Sequence, residues 1–131
     1  MKKFICYMML LAASIGYASA QVQADIKFET TTHSFGTFSE SNPVMSYTFK
    51  FTNIGNGPLV IHQAIASCGC TVPEYSQEPI LPGKTGSVKV TYNGTGRYPG
   101  HFSKSITLRT NAKTEIIRLF IEGDMTAKED K

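Results

Sequence analysis

No apolar run in this 131-residue sequence reaches the roughly 20 residues that a membrane-spanning helix needs. That shortage excludes a polytopic membrane protein. Charge concentrated in one sign is missing as well. The formal +3 includes Lys2 and Lys3, and without them eleven Lys/Arg face ten Asp/Glu. A net charge of +1 with no basic stripe gives phosphate backbones nothing to hold, so nucleic acid is not an expected partner. Nucleophile elbow, Walker loop, dinucleotide fingerprint and zinc-protease helix are all absent. No internal repeat and no low-complexity linker interrupts the chain. What remains is ordinary: 41% hydrophobic and 18% charged residues, which with glycine brings the apolar share to about half and excludes a wholly disordered chain.

The first twenty residues carry a secretory signal pattern. Lys2-Lys3 form a positive start, Phe4–Ile15 gives twelve uncharged residues, and Ala18-Ser19-Ala20 supplies the small-x-small cleavage site. Cys6 opens the apolar run, so it is not placed to become a lipidated first residue. Cleavage after Ala20 leaves 111 residues, enough for one core and too few for two. The chain is therefore expected to be exported, periplasmic or extracellular, with no transmembrane segment after cleavage. The expected division is 1–20 signal peptide, 21–124 folded domain and 125–131 charged C-terminal tail.

Within the mature chain the apolar pattern has period two, not the 3.6 of a helix. Met45, Tyr47, Phe49 and Phe51 alternate with Ser46, Thr48, Lys50 and Thr52. Val88, Val90 and Tyr92 alternate with Ser87, Lys89 and Thr91, and Phe102, Ile106 and Leu108 with Ser103, Ser105 and Thr107. Leu59, Ile61 and Ile65 share one face, as do Ile117, Leu119 and Ile121. Ile26–Glu29 adds a first strand. Asn53–Pro58 and Asn111–Lys113 read as turns by composition. Short alternating strands with turns between them predict an all-β, Ig-like antiparallel β-sandwich of about seven strands in one domain. Strand 86–92 is expected at a sheet edge, open to a partner strand.

Export leaves Cys68 and Cys70 as the mature chain's two cysteines. In an extended segment residues i and i+2 project to one face, so the sulfurs can converge. Three readings stand: a disulfide between near neighbours, helped by a positive φ at Gly69; a Cu or Zn clip completed by His62, His101 or a second chain; and plain packing at a strand end. His33, His62 and His101 have no metal-ligand spacing, and His62 reads as an ordinary sheet histidine. Glu29, Glu40, Glu74, Glu78, Glu115 and Glu122 sit in no catalytic context and read as solvated charges. Asn93-Gly94-Thr95 matches a glycosylation sequon, but Asn-Gly is also ordinary turn chemistry. Phe35, Phe38, Tyr75 and Tyr98 fall in or near predicted loops, as end caps of the core or as a binding surface.

Taken in order, several landmarks resemble a known family. They are Ser34-Phe35-Gly36, Phe49–Gly55, Pro58–Ile61, Ser67-Cys68-Gly69-Cys70-Thr71, Leu81–Lys84, Gly100–Lys104, Thr110-Asn111 and Ile121-Glu122-Gly123. The series resembles a family of secreted bacterial domains of unknown function whose hallmark is the S-C-G-C-T run. That family is similar to Hydin-type and major-sperm-protein-type Ig-like domains. The resemblance implies a β-sandwich binding or structural module and supplies no established reaction. With the signal pattern, the single all-β domain and the missing catalytic constellation, the expected role is a non-enzymatic module, without cofactor, for a protein or cell-envelope partner. The alternative is a soft-metal (Cu or Zn) or thiol-redox protein using Cys68-Gly69-Cys70.

Overall fold

Alternation turns directly into layers. In the computed structural model, which describes residues 22–128, Phe49 and Phe51 are fully buried while their neighbours Thr48 and Lys50 are exposed. Val88 and Val90 flank an exposed Lys89 in the same way. The eight strands are β1 (Ile26–Phe28), β2 (Thr32–Ser39), β3 (Val44–Asn53), β4 (Ile61–Ala66), β5 (Thr71–Tyr75), β6 (Thr85–Asn93), β7 (Gly100–Thr110) and β8 (Ile116–Thr126). They form two four-stranded sheets, ordered β1-β3-β6-β5 and β2-β8-β7-β4. Phe49, Phe51, Leu59, Val88, Val90, Ile106, Leu108, Leu119 and Ile121 fill the space between the sheets with no exposed surface. Each such burial stabilises the fold by about 1.5–3 kcal/mol. The segment read as a signal peptide lies outside the described residues.

The strand order is that of a constant-type immunoglobulin sandwich, one sheet of four and a second of three, with β2 added beside the last strand. That addition departs from the expected all-antiparallel arrangement, because β2 pairs with β8 in parallel. The reason is a change of sheet. The chain first pairs Ile26–Phe28 with β3, then crosses at residues 29–31 and runs on beside β8. Gly36 has φ +66° and the β2 register shifts between Ser34 and Thr37. This bulge breaks the alternation, so the sequence pattern over β2 does not read as a strand.

Strand 86–92 is not an edge. β6 lies between β3 and β5, and Val90 faces Tyr47 on one side and Pro73 on the other. The covering strand β5 carries Pro73 and Glu74, a poor sequence signature for a strand but an admissible one at an edge. The domain also runs past the expected boundary at 124. β8 continues through Thr126, Met125 is 3% exposed, and the Glu40 N–H donates to the Thr126 carbonyl at 2.9 Å. Phe35, Phe38 and Tyr75 belong to strands and pack against the core, with the Phe38 and Phe102 rings 5.9 Å apart. Tyr98 is 95% exposed.

One buried polar side chain ties the end of β3 to three other segments. Asn53 has no exposed surface. Its Nδ2 donates to the Gly57 carbonyl at 2.7 Å and the Ile80 carbonyl at 2.9 Å. Its Oδ1 accepts from the N–H groups of Gly55 at 3.0 Å and Asp25 at 3.4 Å. At the same end, Asn111 accepts from the Val60 N–H at 2.8 Å and donates to the Pro58 carbonyl at 2.9 Å. At Asn53 every amide valence matters, because bulk water cannot substitute there.

Candidate functional site

The chain changes sheets for the fourth time between β4 and β5, and the two cysteines make the crossing. The Ser67 N–H donates to the Ser105 carbonyl on β7 at 2.9 Å, and the Asn93 N–H donates to the Cys70 carbonyl at 2.8 Å. The crossing is thus pinned to β7 at one end and to β6 at the other. Between the pins the Cα atoms of Cys68 and Cys70 stand 5.1 Å apart and their sulfurs face each other, within the range of a disulfide. Gly69 does not reach this geometry through a positive φ, contrary to expectation. A Cβ at Gly69 would meet open space.

The two sulfurs have unequal surroundings. Cys70 is 7% exposed, and its Sγ lies 3.7 Å from the Thr71 hydroxyl. Cys68 is half-buried. Its Sγ accepts from the Cys70 N–H at 3.2 Å and from Arg97 Nη2 at 3.1 Å. Arg97 arrives on the β6–β7 loop, shaped by the Arg97 N–H bond to the Gly94 carbonyl and by Gly96 at φ +77°. No local sequence signal tied Arg97 to a cysteine 29 residues away. In the same loop, Asn93 Oδ1 accepts from the Thr95 N–H at 3.0 Å, the turn chemistry expected of that dipeptide.

An open cleft of about 620 Å³ adjoins this end of the sandwich, lined among others by Arg97, Tyr98, His101, Phe102 and Lys104. Its rim is basic. His101 Nδ1 sits 3.0 Å from Asp124 Oδ1, with both side chains more than half exposed, so the pair adds little stability. Tyr92 and Phe102 stack behind the cleft with ring centroids 3.8 Å apart.

The structure does not bring His62 to the cysteines. His62 lies near the start of β4 and Cys68 follows its end, six residues on and so about 20 Å away at strand rise. It lines a separate cleft with Gln63, Arg109, Asn111 and Glu115. Among the described residues no group of three His, Cys, Asp or Glu is placed to hold a metal ion. His33 instead stacks on Tyr47 across the two sheets, centroids 3.6 Å apart, and burial pushes its pKa down. None of the six glutamates named above is buried.

The domain is similar in fold to several solved structures. One is a protein of unknown function from Porphyromonas gingivalis W83 (TM-score 0.68, 15% identity), with 82% of this chain and 50% of that chain covered. This chain therefore spans about half of that protein. The human CEP192 ASH/PapD-like domain 7 aligns with TM-score 0.64 and 10% identity, over 88% of this chain and 94% of that one. The periplasmic chaperone SfaE aligns with TM-score 0.54 and 10% identity, over 79% and 58%. At such identities the likeness is one of fold. No curated protein matches the chain. Residues 26–125 match the family model described as "Protein of unknown function (DUF1573)".

Proposed function

The chain belongs to the DUF1573 family, and we propose that its sandwich is a non-enzymatic interaction module that binds an extended segment of another exported protein. Residues 1–20, with their signal pattern, support export of the chain to the periplasm or beyond. The fold it has in common with a periplasmic chaperone is compatible with that reading.

The free edge of β4 carries the proposal. Among the described residues β4 pairs with β7 alone, so its other side is open within the sheet. Its six residues, Ile-His-Gln-Ala-Ile-Ala, contain no formal charge and no proline, and Ile65 is 48% exposed. The other edges carry features that discourage strand addition. β5 has Pro73 and Glu74, β2 is bulged at Gly36, and β1 is three residues long. An added strand would draw affinity from main-chain hydrogen bonds and selectivity from the side chains around Ile65.

The test exploits the alternation of a strand. The Ser67 N–H points to β7, so the N–H groups of Ala64 and Ala66 point outward. Ala64→Pro removes an outward donor without touching the β4–β7 ladder. Capture of a partner from an envelope extract should be lost in this variant while its circular dichroism stays that of the folded domain. Equal capture by the variant and the native chain would overturn the β4 assignment.

A further inference from the structure

A sulfur pair that closes a loop of three residues contributes little to fold stability, because it removes almost no chain entropy from the unfolded state. Yet the surroundings of Cys68 and Cys70 are built, and built asymmetrically. One sulfur is half-buried and receives a guanidinium and a backbone N–H. The other is buried beside a hydroxyl. A positive charge and an amide donor both favour the thiolate over the thiol, which is how proteins make a sulfur a good nucleophile and a good leaving group.

We propose that Cys68 and Cys70 form a thiol–disulfide exchange site for dithiol substrates, with Cys68 the exchanging sulfur, Cys70 the resolving sulfur and Arg97 the group that holds the Cys68 thiolate. In the closed form a substrate thiolate attacks Cys68 Sγ. A substrate–Cys68 bond forms, the Cys68–Cys70 bond breaks, and the electron pair stays on Cys70, which takes a proton from water. The substrate's second thiolate then attacks its own sulfur in the mixed disulfide. Cys68 departs as a thiolate onto Arg97 Nη2 and the Cys70 N–H. The substrate dithiol has lost two electrons and become a disulfide, and the protein pair has gained them. The reverse sequence, with Cys68 attacking a substrate disulfide and Cys70 displacing it, recloses the ring. The adjoining basic cleft, with Tyr98 exposed beside Arg97, gives the substrate chain a place to lie. None of this requires the β4 edge.

The test uses the full exported chain, glutathione redox buffers as the probe, and acid quenching followed by alkylation and intact mass. The native chain should partition reversibly between the closed pair and two thiols while its circular dichroism stays that of the folded domain. Arg97→Gln should shift that equilibrium toward the closed pair by about tenfold, the equivalent of one pKa unit on Cys68, and Arg97→Lys should recover part of the shift. With Cys70→Ser, Cys68 should alkylate at lower pH than Cys70 does in Cys68→Ser, and adding Arg97→Gln should abolish that advantage. A pair that opens only when the domain unfolds would overturn the proposal, as would a Cys68 whose alkylation profile ignores Arg97.

Discussion

Asn53 Nδ2 donates to the carbonyl of Gly57, four residues on, at 2.7 Å, from a side chain with no exposed surface. The same amide reaches Ile80, Gly55 and Asp25, so one residue fastens the end of β3 to the segments that precede β1 and follow β5. Asn53→Ala strands these partners without replacements, and unsatisfied buried groups cost about 1–3 kcal/mol each. We expect a loss of about 3 kcal/mol or more in urea unfolding. Thr48→Ala, on the exposed face of the same strand, should stay within about 0.5 kcal/mol.

Two glycines should separate cleanly. A Cβ at Gly55 would run into the backbone of Gln23, Ala24 and Asp25, with the Ala24 carbonyl carbon at 2.6 Å. Gly55→Ala should therefore destabilise the domain by more than about 1 kcal/mol. At Gly69 the same Cβ meets nothing and φ is not positive. Gly69→Ala should leave the melt unchanged within experimental error and should still allow the two sulfurs to pair.

The aromatic residues divide in the same way. Phe38 packs edge-on against both Tyr92 and Phe102, so Phe38→Ala should cost about 2 kcal/mol or more as a core truncation. Tyr98 is almost fully exposed, and Tyr98→Ala should leave thermal stability unchanged.

His33 supplies a pH dependence. Burial lowers its pKa below the usual 6.5, so the unfolded chain binds a proton that the folded chain resists. Stability from this group is fully present above pH 6.5 and is lost as the pH falls through the lowered folded value. His33→Phe keeps a ring against Tyr47 and removes the titration. Denaturant midpoints measured from pH 8 down to pH 5 should fall in the native chain, and the part due to His33 should vanish in the variant. Parallel curves would contradict this assignment.

The sandwich was legible wherever alternation ran unbroken, as in β3, β6, β7 and β8. It failed where a local feature masks the period. Gly36 and the bulge hid β2, and Pro73 hid β5. The second omission made β6 look like an edge. Asn53 read as turn composition, because nothing local announces that its amide faces inward. The cysteine pair was visible from its spacing, whereas Arg97 reaches Cys68 only through the folding of a distant loop. Long-range pairing of that kind leaves no mark in a single sequence.

The account of function turns on the open side of β4. Amide hydrogen exchange of Ala64 and Ala66, with and without the captured partner, tests it most directly. Protection of these two outward N–H groups on binding, with the exchange of β2 and β5 unchanged, is the predicted result. Exchange at Ala64 and Ala66 that is the same in the free and bound domain would contradict it.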